Sequence, residues 1–141
     1  DQSDIVTLHV PAIPATEHLL STATFAQMKR GAILINTSRG SVVETQALVM
    51  GLRSGQVAGA ALDVLEEEGV IRDELDFLVA GHPEEHNLKT VFANHVLIDL
   101  PNVIITPHNA FNTTEALQRI LDTTLDNLRG FIAGVPINII P

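Results

Sequence analysis

The chain has 141 residues, 45% of them hydrophobic, with a formal charge of −9 and no cysteine. Disulfides, thiolate metal sites and cysteine nucleophiles are excluded, and eight scattered basic residues argue against a nucleic-acid partner, which needs clustered Lys and Arg. No stretch approaches membrane-span length and nothing reads as a signal peptide, so a cytoplasmic protein with no membrane partner is expected.

The chain enters a strand almost at once, at Ile5–Val10, which Pro11 and Pro14 stop. Ser21 is a suitable N-cap for a helix running through Lys29, with Gly31 as its C-terminal stop. Ala32–Asn36 is a short apolar strand, Thr45–Ser54 a helix ended by Gly55, and Val57–Val64 a third strand. Residues Glu66–Asp99 break this rhythm: the segment is acidic, too long for an ordinary loop, and offers only a short helical candidate around Glu74–Val79. A strand at Val103–Thr106 follows, and Thr113 caps the longest helix, Thr114 to about Arg129, with Ala116, Ile120, Leu121, Leu125 and Leu128 on one face. Strands alternating with helices over short connections imply an α/β fold with a parallel, partial doubly wound (Rossmann-like) sheet.

Three of these strands run into ionisable groups. Ala32–Asn36 leads to Thr37-Ser38-Arg39-Gly40, Gly59–Val64 contains Asp63, and Val103–Thr106 leads to Pro107-His108. Ligands gather beyond the carboxyl ends of parallel strands, where an arginine can grip a carboxylate through two parallel hydrogen bonds. Singly, each residue has an ordinary reading. Arg39 suits a structural surface arginine, Asp63 a carboxylate capping nearby backbone, Glu66-Glu67-Glu68 a solvated face, and His108 a structural histidine. Together they have a chemical logic. A carboxylate stabilises a protonated imidazole, which can donate a proton to a carbonyl oxygen as hydride reaches carbon, while arginine holds a neighbouring carboxylate.

The motifs S-D-I-V-T-L-H-V-P (3–11), M-K-R-G-A-I-L-I-N-T-S-R-G (28–40), G-A-A-L-D-V-L-E-E-E (59–68) and P-N-V-I-I-T-P-H-N-A-F-N-T (101–113) resemble the D-isomer-specific 2-hydroxyacid dehydrogenases. Within that family the resemblance is to the D-lactate dehydrogenase branch, and it covers essentially the whole chain. It implies an NAD-dependent oxidoreductase acting on a small 2-oxo or 2-hydroxy acid. It implies Arg39 as substrate-carboxylate ligand, Glu68 as partner of the catalytic histidine and His108 as general acid/base. It also implies dinucleotide contacts at Val10, Pro11, Thr16, Thr37, Ser38, Arg39 and Asp63. Glutamate at position 68, where related formate dehydrogenases carry glutamine, favours hydroxyacid chemistry. The A-F-N-T run at Ala110–Thr113 favours the lactate branch, while Asn109 and Asn112 depart from its commonest residues.

No G-x-G-x-x-G turn is present and the first residue is Asp1, so the chain is expected to be an interior piece of a longer protein. Residues 1–113 are then the C-terminal half of a dinucleotide-binding domain and 114–141 a helix and tail returning to a substrate domain. Such a piece is expected to be inactive alone and to form a homo-oligomer, most simply a dimer. A solvated loop accounts for His82, His86 and His95 near Glu84 and Glu85, and no metal is expected. The competing reading is a dinucleotide-sensing, corepressor-like interaction protein of the same fold, which would keep the same three site residues.

Overall fold

A computed structural model describes residues 2–72 and 87–139, and divides the chain into two compact units, Asp1–His108 and Asn109–Pro141. In the first unit four strands, β1 (Ile5–Leu8), β2 (Ala32–Asn36), β3 (Val57–Leu62) and β4 (Val103–Ile105), form one sheet in the order β1-β2-β3-β4. Every pairing is parallel, so all four carboxyl ends lie along one edge. The connecting helices are α1 (Thr22–Gln27), α2 (Thr45–Ser54), the short α3 (Glu68–Arg72) and α4 (Leu88–Asp99).

The register sorts the side chains. Leu34 pairs with Val6 and Ala60, and Ala60 with Val103; this row faces the core with Leu48, Leu52, Phe25 and Leu97 from the helices. The opposite face of the sheet holds Ile5, Ile33 and Ile104, which remain 56%, 41% and 66% exposed. Parallel sheets bury both faces in α/β proteins, and here one layer of helices covers one face.

Three expected strands end early, the last of them β4, which stops at Ile105 rather than Thr106. β1 stops at Leu8 rather than Val10 and β3 at Leu62 rather than Val64, because the ladder between β2 and β3 ends at the pair Asn36 and Leu62. Helix α1 stops at Gln27 rather than Lys29, with Met28 already extended; Gly31, at φ +82°, turns the chain into β2. Helix α2 has its expected bounds and ends on Gly55 at φ +69°, where an L side chain would be strained.

The largest departure is α4. The segment read as an irregular excursion contains a 12-residue helix capped by Asn87, whose Oδ1 accepts from the Thr90 N–H at 3.3 Å. Its buried face consists of Thr90, Val91, Asn94 and Leu97, while Phe92, Val96 and Ile98 are exposed. Two polar residues on the inner face and four large apolar ones outside, Leu88 at the first position included, erase the usual amphipathic pattern. The helical candidate at Glu74–Val79 lies outside the described residues.

The second unit is a helix, α5 (Thr114–Ile132), followed by a tail. The Thr113 hydroxyl caps it, accepting from the Ala116 N–H at 3.2 Å. The helix continues through Gly130 instead of ending near Arg129. Gly134, at φ +69°, then reverses the chain, and the Val135 carbonyl comes so close to Gly130 that a Cβ there would sit 2.9 Å from it. None of the residues of α5 is buried. Among the described residues no helix is long and apolar enough to cross a membrane.

Candidate active site

Asn36 is the buried last residue of β2, and its side chain shapes the turn beyond the strand. Its Oδ1 accepts from the Ser38 N–H (3.0 Å) and hydroxyl (2.8 Å), while its Nδ2 donates to the Arg39 carbonyl (3.0 Å). A side-chain amide that bonds backbone groups two and three residues on fixes a tight turn at the strand end. That turn presents Thr37, Ser38 and the exposed Arg39 on the edge where β1 delivers Val10 and Pro11. His9, Val10, Pro11, Ala12, Thr37, Ser38 and Arg39 line one open cleft of about 600 Å³. Arg39 Nη1 donates to the carbonyl of Ser38 at 2.7 Å, which holds the guanidinium against its own turn.

A second cleft, of about 220 Å³, opens between the ends of β3 and β4. Asp63, Leu65, Glu68, Ile98, Ile105, Thr106, Pro107 and His108 line it. Asp63 is buried, and its Oδ1 accepts a hydrogen bond from the Thr106 hydroxyl, tying the two strand ends together. His108 stands just past β4 with φ +51°, a left-handed backbone that histidine tolerates better than most residues. Its Nδ1 lies 3.0 Å from Glu68 Oε1, with both side chains partly exposed.

The glutamate run is not a uniform solvated face. Glu66 Oε1 lies 2.7 Å from His18 Nε2, and its Oε2 accepts from the Thr45 N–H, the first helical residue of α2, at 2.6 Å. The Glu67 carboxylate accepts from the Asn87 N–H at 3.3 Å, and Glu68 meets His108. The hydrogen bond and charge of Glu66, reinforced by Glu44 and Glu17, raise the pKa of His18 above its ordinary 6.5.

The structure thus gathers Val10, Pro11, Thr37, Ser38 and Arg39 on one cleft and Asp63, Glu68 and His108 on the other. Thr16 does not line either. Its hydroxyl accepts from the Ile13 N–H (3.0 Å) and reaches the Pro11 carbonyl at 2.6 Å, closing the turn behind the cleft wall. Ile98 reaches the smaller cleft from α4, a helix that no local pattern signals, and no motif gives His9 a role. His9 lines the larger cleft, with its Nε2 2.9 Å from the Thr7 hydroxyl. His95 falls on α4, and His82 and His86 lie outside the described residues. Among the described residues no cluster of three potential metal ligands occurs.

A parallel sheet whose strand ends open into a polar cleft beside a smaller, mainly apolar one has the form of a dinucleotide-binding oxidoreductase domain. Comparison with known proteins gives the family. Residues 1–110 match the NAD-binding domain of the D-isomer specific 2-hydroxyacid dehydrogenases, and the chain belongs to that family. It is 38% identical over 139 residues to a glycerate dehydrogenase of Methylorubrum extorquens and 37% identical over 133 residues to a D-lactate dehydrogenase of Lactobacillus delbrueckii. These alignments cover 99% and 94% of this chain but 38% of each relative, so the chain spans under two fifths of their length. The D-lactate dehydrogenase of Aquifex aeolicus, solved with NAD and lactic acid, superimposes with a TM-score of 0.78 at 35% identity, over 94% of this chain and 38% of that one.

The donor set fits NAD. The smaller cleft pairs the apolar Leu65, Ile98, Ile105 and Pro107 with the Asp63 carboxylate, which suits a flat heterocycle carrying a polar amide. The larger cleft sets Val10, Pro11 and Ala12 beside Ser38, Arg39 and His9, which suits the apolar and polar parts of a nucleotide.

Proposed function

We propose that this chain is the part of an NAD-dependent dehydrogenase that carries the acid/base machinery for interconverting a pyruvate-like 2-oxo acid and its D-2-hydroxy acid. The observation that carries this reading is the pair formed by His108 Nδ1 and Glu68 Oε1 at 3.0 Å on the wall of the cleft that holds Asp63. With Nδ1 engaged, Nε2 is the nitrogen that meets the substrate. His108 gives its proton from Nε2 to the carbonyl oxygen in reduction and takes it back from the hydroxyl in oxidation, while Glu68 stabilises the imidazolium. Arg39 grips the substrate carboxylate with its forked N–H groups, giving up the contact to its own turn. When bound, the cofactor would supply the hydride chemistry at the carbon bearing this oxygen, donating it as NADH in reduction and accepting it as NAD+ in oxidation. Val10, Pro11, Thr37, Ser38 and Asp63 orient the dinucleotide, and Thr16 supports Pro11 from behind.

We take residues 1–113 as the cofactor-binding part and 114–141 as a segment that serves a further domain. The 141 residues alone are catalytically silent, since no glycine-rich phosphate turn is among them. In the whole protein we expect a homo-oligomer. The preference for pyruvate over larger acids rests on the D-lactate dehydrogenases among the relatives; the glycerate dehydrogenase is equally similar. The test is a panel of 2-oxo acids with NADH on the full-length protein. Turnover of pyruvate and its close homologues, with the D-hydroxy acid as product, is expected; no turnover of any 2-oxo acid sinks the reading.

A further inference from the structure

Glu66 uses its whole carboxylate inside the protein. One oxygen meets His18, the other receives the first helical N–H of α2, and its own backbone carbonyl accepts from the Asn94 Nδ2 of α4 at 2.6 Å. Asn94 is fully buried, and among the described residues its Oδ1 has no hydrogen-bond partner, so its amide is committed to the Glu66 carbonyl. A carboxylate at a helix N-terminus is favoured by the helix dipole, and Glu44, the N-cap residue, makes no side-chain cap of its own.

His18, at the other end of the ion pair, belongs to the loop that forms the cleft wall. Its left-handed backbone (φ +47°) directs its N–H to the Ser41 carbonyl at 2.8 Å. Leu20 continues the attachment, donating to the Val42 carbonyl at 3.0 Å and accepting from the Glu44 N–H at 2.9 Å. The loop therefore has two anchored ends, β1 on one side and the segment 41–44 on the other, with Val10, Pro11 and Ala12 between them. Its one long-range side-chain tie among the described residues is His18 to Glu66. Two residues beyond Glu66 stands Glu68, the partner of His108.

We propose that Glu66 and His18 are positioning residues of the dinucleotide cleft. Their ion pair locks the loop carrying Val10 and Pro11 to the segment carrying Glu68, so that cofactor affinity is coupled to the charge on His18. The inference rests on the functional reading above. The groups facing His18 are Glu66 from the segment after β3, Glu44 from the start of α2 and Glu17 from its own loop, all acidic, and each raises its pKa. The charged state therefore persists above 6.5 and is lost as pH rises through the raised value. His9 and His108 also lie on the clefts, so a pH effect has to be assigned by substitution.

The experiment is a calorimetric titration of the full-length protein with NAD from about pH 6 to about pH 9. It is run on wild type, His18→Gln and Glu66→Gln, with thermal melts establishing that each variant is folded. In wild type the Kd is expected to rise about tenfold across this range, equivalent to ~1.4 kcal/mol. His18→Gln, which cannot gain charge, should lose most of that slope while keeping His9 and His108. Binding is reciprocal, so the imidazole resonance of His18 should titrate at higher pH with NAD bound than without. A pair that merely stabilises the fold would leave that titration where it was.

A His18→Gln protein with the wild-type slope, or a His18 titration indifferent to NAD, overturns this inference and leaves the functional reading intact. A wild-type protein that neither binds NAD nor reduces a 2-oxo acid overturns the functional reading, and the inference with it.

Discussion

The backbone carbonyl of Leu65 occupies the space beside Gly40 where a side chain would begin, so that a Cβ at position 40 would overlap the Leu65 carbonyl group and crowd the Glu66 N–H. The glycine after Arg39 is thus required by close approach of two strand-end segments, one presenting Arg39 and the other leading to Glu68. Gly40→Ala is expected to push these segments apart, costing ~3 kcal/mol of stability by overpacking against backbone that cannot move aside cheaply. In the full-length protein it should also depress kcat/KM. A melting temperature within a degree or so of wild type would show that the two segments separate without cost.

Arg39→Lys keeps the charge and loses the fork. We expect kcat/KM for 2-oxo acids to fall at least about tenfold, ~1.4 kcal/mol in the transition state. The cofactor Kd should change less than the substrate KM. Steady-state kinetics with pyruvate and NADH check this, and a near wild-type kcat/KM would remove Arg39 from the substrate site.

His108→Ala should cost roughly 10²–10⁴-fold in kcat, the ordinary worth of a positioned general acid. Glu68→Gln retains an acceptor opposite Nδ1 but removes the charge that stabilises the imidazolium. The loss should be smaller, on the order of ten- to a hundredfold, in line with ~1.5–3 kcal/mol for a hydrogen bond to a charged group. If the double variant is no worse than His108→Ala alone, the two act as one unit. Simple multiplication of the two losses would mean they act separately.

The His18–Glu66 pair also predicts how stability depends on pH. The folded pKa of His18 is raised, so the pair contributes fully below 6.5, the unfolded value, and its contribution disappears as pH rises through the folded value. His18→Ala should therefore lower the melting temperature in mildly acidic buffer and have little effect in alkaline buffer. Melting curves of both proteins at several pH values test this; a constant difference would assign the effect to packing instead of charge.

The 141-residue chain by itself is expected to self-associate. Ile5, Ile33 and Ile104 line an uncovered sheet face, and Ile120, Leu121, Leu125, Leu128, Phe131 and Ile132 of α5 are each about half exposed or more. Apolar surface of this kind is buried by association when nothing else covers it. Light scattering should report a dimer or larger species and calorimetry negligible NAD binding. A monodisperse monomer that binds NAD at micromolar concentration would refute both expectations.

Much of this architecture is local and therefore legible in the sequence. The apolar run at Ala32–Asn36, the Gly55 stop and the Thr113 cap depend on neighbours a few residues away, and they appear where local rules put them; the run at Val103–Thr106 does so to within its last residue. The motifs around Arg39, Asp63, Glu68 and His108 carried the family likewise. Helix α4 was not legible, because its buried face includes Thr90 and Asn94, whose burial is made tolerable by contacts such as that of Asn94 with the Glu66 carbonyl. Of the three adjacent glutamates the family resemblance singles out Glu68 as the partner of His108, but nothing in the sequence assigns a partner to Glu66 or Glu67. Only the folded chain sends Glu66 to His18 and α2 and Glu67 to Asn87, across separations of 20 to 48 residues. Periodicity and caps report on the local backbone. Which charge meets which partner is decided when distant segments close on one another, and that is a property of the tertiary structure alone.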